Sequence, residues 1–216
     1  MVRQEIEERI RQSCSAGDYP LAAKLLLEAY GSEIASLLGC RLRSDADAGD
    51  VFGMFCEDLW RALPSFEFRC SARTWAYVLA RHAELRLRAE PQRRPDRNLP
   101  FREQLNELVD RLRTSTAPCR RTRELELLRA LRQRLNEEDE LILLLRVDRS
   151  LGWQEIARVF LPAGCCADAD SVAVQREAAR LRQRFLVIKQ RLRGWAEREG
   201  LLPASAALPE LQPIQG

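Results

Sequence analysis

Two clusters of arginine interleaved with amide or aromatic side chains are the residues best suited to binding chemistry in this chain. The first comprises Arg69, Arg73, Tyr77, Arg81, Arg86 and Arg88. Guanidinium forks of this kind hold phosphate oxygens and guanine edges in pairs, and an aromatic or apolar group among them receives unstacked bases while the arginines hold the strand. A solvated arginine face is the alternative. The second cluster is Gln175, Arg176, Arg180, Gln183 and Arg184, lying beside an apolar stripe. On the N-terminal half of a recognition helix, such residues meet base edges and phosphates in the major groove. A surface helix or coiled-coil segment is the alternative here, because the apolar repeat also fits a zipper.

Catalytic chemistry finds little to build on. His82 is the sole histidine, no cysteine or acid stands at ligand spacing from it, and no Gly-rich phosphate loop occurs. Its place on an apolar stripe marks it as a packed, hydrogen-bonded histidine. The run Glu137, Glu138, Asp139, Glu140 reads as a helix start, and the adjacent Cys165 and Cys166 make a poor disulfide, since neighbouring residues seldom form a relaxed one. No catalytic residue, metal or cofactor is expected.

The elements that must position these residues are helical throughout. Ala22, Leu25, Leu26, Ala29, Ile34, Leu37 and Leu38 form an apolar stripe at three-to-four-residue spacing. The stretch from Ser44 to Asp50 places acids at a helix start, after which Val51, Phe55, Leu59 and Leu63 repeat every fourth residue until Pro64 and Ser65 stop the helix. Ser71 caps a third helix, predicted to pack through Trp75, Val78, Leu79, His82 and Leu85 and to show Arg73, Tyr77, Arg81 and Arg88 to solvent. Three prolines between Glu90 and Pro100 mark a linker, interrupted by the amphipathic piece Leu105, Leu108, Val109 and Leu112. Leu125, Leu128, Leu131 and Leu135 open a second unit. Asn136 to Glu140 then cap a helix through Val147, a short helix runs to Phe160 with Ile156, Ala157 and Phe160 inward, and an irregular loop spans Leu161 to Asp170. Val174, Ala178, Leu181, Phe185, Ile188, Leu192 and Trp195 stripe one long final helix, and an unstructured tail follows.

Composition sets the outer limits. The chain has 216 residues, 46% hydrophobic and 31% charged, with 10 glycines and 10 prolines, which suits a globular helical protein of two small domains. The net charge of +3 is small, and among 35 basic residues only Lys24 and Lys189 are lysine; a GC-rich genome also explains such an arginine bias. The 7 cysteines (Cys14, Cys40, Cys56, Cys70, Cys119, Cys165, Cys166) match neither a disulfide framework nor a zinc pattern and read as reduced thiols. No signal sequence is visible, and the longest apolar run, Leu141 to Leu145, is far short of the roughly 20 residues of a bilayer span. A cytoplasmic location without membrane insertion is expected.

Two blocks resemble a known family. The run from Asp47 to Phe66, with Asp58-Leu-Trp-Arg-Ala-Leu-Pro-Ser-Phe66 at its end, followed by Ser71-Ala-Arg-Thr-Trp-Ala-Tyr-Val-Leu-Ala-Arg-His82, resembles the docking and minus-ten helices of bacterial sigma factors of the extracytoplasmic-function (ECF) type. The second block, Leu151 to Phe160 and then Val174 to Arg184, is similar to the family's minus-thirty-five helix-turn-helix. The resemblance implies an all-α, two-domain factor. Residues 15–92 would bind polymerase and read the minus-ten element, 93–121 would be the linker, 122–200 would hold the helix-turn-helix, and 201–216 a disordered tail. It further implies that Asp50, Glu57, Asp58, Leu59 and Trp60 dock on core RNA polymerase. Promoter DNA would be met by Arg69, Ser71, Arg73, Tyr77, Arg81 and Arg88, and by Gln175, Arg176, Arg180 and Arg184; an anti-sigma factor is a further candidate partner. Gly53 and Met54 replace the family's common Gln-Glu pair, implying a more apolar clamp contact. Ala72 stands where Phe is usual, and the Leu161 to Asp170 loop is longer than the family's turn. The rival expectation is a sigma-like interaction protein that binds polymerase or a regulator without promoter activity.

Overall fold

A computed structural model describes residues 2–42, 44–90, 134–162 and 172–199, and every regular element among these is helical, as the sequence leads one to expect. The linker over 93–121 with its Leu105 to Leu112 piece, Leu125, Leu128, Leu131, Cys119, Cys165, Cys166, most of the Leu161 to Asp170 loop and the tail over 201–216 lie outside the described residues.

Helix α1, Val2–Ser15, begins before the first apolar stripe and before the residue 15 boundary expected for the first unit. Its signal was present but faint: Ile6 and Ile10 stand four apart, and Ile10 is fully buried. Gly17 closes the turn after α1 at φ +73°, a left-handed conformation that costs glycine nothing. Asp18 then accepts the Leu21 N–H at 3.1 Å and Pro20 sits in the first turn, starting α2, Tyr19–Arg41. Its stripe buries Ala22, Leu26, Ile34, Leu37 and Leu38.

Ser44 caps α3, Asp45–Ala62, by accepting the Asp47 N–H at 3.1 Å. The four-residue repeat Val51, Phe55, Leu59, Leu63 is wholly buried, and a 3-10 turn, Leu63–Ser65, ends the helix at Pro64. Helix α4, Ala72–Ala89, starts at Ser71 as expected, with Ser71 Oγ accepting the Thr74 N–H at 3.1 Å. Glu7 of α1 satisfies the two N–H groups that Ser71 cannot reach: its carboxylate accepts from Ala72 at 2.7 Å and Arg73 at 3.1 Å, and also from the Tyr30 hydroxyl at 2.8 Å.

In the second stretch, Asn136 accepts the Asp139 N–H at 2.8 Å to open α5, Glu137–Leu143. The helix expected to reach Val147 changes there into a π turn, Leu144–Asp148. Then come α6, Trp153–Phe160, and the long α7, Val172–Arg198.

Helices α2, α3 and α4 pack pairwise, α1 lies on α2, and α7 covers α5 and α6. Two separate cores are not seen among the described residues. One hydrophobic cluster runs from Ile10 to Ile188, and α6 joins the two stretches by packing against α4. Among the described residues no helix is long and apolar enough to cross a membrane.

Candidate functional site

Helix α4 carries most of the residues expected to meet DNA, and its surroundings differ from the two-faced helix the sequence predicts. Tyr77 is fully buried and Arg73 nearly so, whereas Leu85, expected to pack, is exposed. The cause is that α4 contacts α2, α3 and α6 at once, so three of its sides are covered. Ala72, Ala76, Ala80 and Ala83, all buried, supply the small side chains that let neighbours approach so closely.

Polar side chains on such a helix must find partners inside the protein. Arg73 donates through Nε to Glu33 at 2.9 Å and through Nη2 to the Arg149 carbonyl at 2.9 Å. The Tyr77 hydroxyl donates to the same Glu33 oxygen at 2.9 Å, and burial followed by the Glu33 charge raises its pKa, keeping the phenol protonated. Arg81 lies over the Phe160 ring at 4.1 Å; burial and the nearby Arg41 charge lower its pKa. Arg88 donates to Glu84 at 2.6 Å and pairs with Glu137. Arg69 is more open and pairs with Glu67 at 2.6 Å on the loop before α4.

That loop holds a group of rings. Phe66 stacks on Trp75 with centroids 4.2 Å apart, Phe68 sits 4.3 Å from Phe66, and the Arg11 guanidinium lies 4.8 Å over Phe68. All three rings are half-buried and pack against the core. Phe68 adopts φ +55°, a left-handed conformation unusual for a bulky residue.

On α3, the residues expected to dock on polymerase divide by exposure. Asp50, Asp58 and Trp60 are half-buried; Glu57 is buried with Arg61 at 3.8 Å, and Leu59 is part of the core. Asp58 is held by both terminal nitrogens of Arg86. Met54 is buried, so the apolar clamp contact expected of Gly53 and Met54 loses its larger side chain to the interior.

The α7 cluster divides along the helix. Gln175, Arg176 and Arg180 are exposed, and Arg180 donates to its own helix neighbour Glu177 at 2.6 Å. Arg184 instead serves the start of α5, donating to Asp139 at 2.5 Å and Glu138 at 2.7 Å. Asp139 is almost fully buried and also lies 3.5 Å from Arg191.

Several residues that organise these surfaces had no local sequence signal. Glu84 is the hub of a buried network: Arg41 reaches it at 2.8 to 3.0 Å, and the two side chains are only 4% and 3% exposed. The other end of Arg41 donates to the Glu137 carbonyl at 3.0 Å. Glu155 accepts from Thr74 Oγ1 at 3.0 Å and from the Gly152 N–H at 2.6 Å, so a single carboxylate ties the starts of α4 and α6 together. At the far end of α6, Phe160 meets the Arg81 guanidinium on the next turns of α4. Pairs this distant in sequence have no periodicity to betray them. Neither protein-family models nor curated protein sequences gave a match to the chain.

Proposed function

We propose that this chain is a sigma-type transcription initiation factor of the ECF kind, which binds core RNA polymerase and directs promoter-specific initiation from the cytoplasm. The observation that carries the proposal is the ring group Phe66, Phe68 and Trp75 beside Arg11 and Arg69, at the junction of an acidic helix and an arginine-rich one. Aromatic groups next to guanidinium groups are what a melted strand requires, because the rings receive unstacked bases while cations hold the phosphates. The order of these elements along α3 and α4 matches that of the sigma family's docking and minus-ten helices.

In this reading the chain works as two functional units, 15–92 and 122–200, joined by the linker. Asp50, Asp58 and Trp60 on α3 form the polymerase contact. Helices α6 and α7 act as a helix-turn-helix, with the exposed Gln175, Arg176 and Arg180 facing the minus-thirty-five element. The factor supplies no catalytic residue; polymerase performs the chemistry.

A sigma-like interaction protein without promoter activity is the second reading, favoured by the internal engagement of Arg73, Tyr77 and Arg184. Run-off transcription with purified core polymerase on the DNA upstream of the protein's own gene separates the two. A specific transcript is expected; tight core binding without one would replace the first reading by the second.

A further inference from the structure

The contact between the two stretches covers the part of α4 that the proposed function needs open. Thr74 is bonded to Glu155, Arg81 lies under Phe160, and Arg88 is paired with Glu137. The main-chain carbonyl of Arg149 takes a fork nitrogen of Arg73, and the Arg149 side chain donates to Ser36 of α2 at 2.9 Å. All these partners belong to residues 137–160. Part of the polar surface of α4, namely Arg81 and one nitrogen each of Arg73 and Arg88, is therefore engaged by the C-terminal stretch.

We propose that residues 137–160 act as a built-in cover over the nucleic-acid face of α4, latched by the polar links of Thr74, Arg88 and Ser36 to Glu155, Glu137 and Arg149. The inference rests on α4 being a nucleic-acid surface, as proposed above. Its chemistry is imitation: a carboxylate (Glu137), a backbone carbonyl (Arg149) and a ring (Phe160) occupy arginines that would otherwise take phosphate oxygens and bases. Opening releases Thr74, Arg81 and one nitrogen each of Arg73 and Arg88, whose other nitrogens stay with Glu33 and Glu84. Tyr77 stays inside, because its hydroxyl is bonded to Glu33 of α2 and not to the cover. Links of this type exchange readily for water, so a partner that binds the open form shifts the population in proportion to its preference for that form.

The test compares the full chain with its Thr74→Val/Glu137→Ala/Arg149→Ala variant. Thr74→Val keeps the main-chain cap on Ser71, and none of the three residues is among those expected to meet DNA. Amide hydrogen exchange at 156–159 reads opening, and fluorescence polarisation reads binding of a fluorescein-labelled single-stranded DNA oligonucleotide. Faster exchange together with at least about tenfold tighter binding is expected, because apparent affinity scales with the open fraction. Adding Arg81→Ala to the variant should remove most of the gain. If the wild type already binds as tightly as the variant, the cover does not inhibit and this inference alone fails. If the variant opens without gaining DNA affinity, or keeps its gain without Arg81, α4 is not the nucleic-acid surface and the functional reading of it fails too. Unchanged exchange would mean that these links are not the latch.

Discussion

Glu84 accepts hydrogen bonds from Arg41 and Arg88 in a region nearly closed to water. A carboxylate there is stable only while its cations remain, and so are they. Glu84→Gln keeps the shape but leaves Arg41 as an uncompensated buried charge, and should cost about 3–5 kcal/mol in denaturant unfolding; a loss below about 1 kcal/mol would show that water reaches the site. His82 gives a second handle. Burial and the Arg81 charge lower its pKa from 6.5, Arg86 adds to this, and Asp58 and the Leu161 backbone partly oppose it. Above pH 6.5 the ring is neutral whether the chain is folded or not and contributes no pH dependence. As the pH falls below 6.5 the unfolded chain takes up a proton that the folded chain resists, so stability declines through that window and levels off below the folded pKa. Unfolding measured at about pH 7.5 and about pH 5 should show a smaller drop in His82→Gln than in the wild type; equal drops would place the titration elsewhere.

Where helices begin, distant side chains do as much as local ones. Ser71 caps α4 locally, but Glu7 supplies two further acceptors from another helix. Glu7→Ala strands two N–H groups and the Tyr30 hydroxyl, with an expected cost of about 1–3 kcal/mol in thermal or denaturant melts. If α7 is the recognition helix proposed above, Arg176→Ala and Arg180→Ala should weaken promoter binding by about 1–3 kcal/mol with little change in stability, while Arg184→Ala should lower stability because it leaves Asp139 buried with a weaker partner. The reverse pattern in mobility-shift and melting assays would move the recognition surface toward the helix C-terminus. Helices α2, α3 and α7, the acidic start of α3 and the caps Ser71 and Asn136 were legible in the sequence because periodicity and capping are local. The sides of α4 were not. A helix packed on three neighbours has no single apolar stripe, and the partners of its polar side chains come from Glu33 and from residues 137–160, up to 81 positions away.

Taken whole, the described residues share one core although the sequence suggested two. That arrangement should unfold in a single step. Phe55→Ala in the first stretch and Ile156→Ala in the second, both fully buried, should each cost about 2–5 kcal/mol and lower one common transition. Two transitions, each answering to only one substitution, would show independent domains. A further consequence follows from the direction of α4 and α6. Thr74 meets Glu155 near the start of both helices, and Arg81 meets Phe160 at the end of α6, so the two helices run side by side with the same polarity. Their peptide dipoles are then aligned, an arrangement that repels, and the positive ends crowd together. Glu155 sits at both of those ends and Glu7 at one of them. Two negative charges thus neutralise a repulsion that the fold itself creates, and the helices are held together at their N-termini by carboxylates rather than by the attraction an antiparallel pair would have.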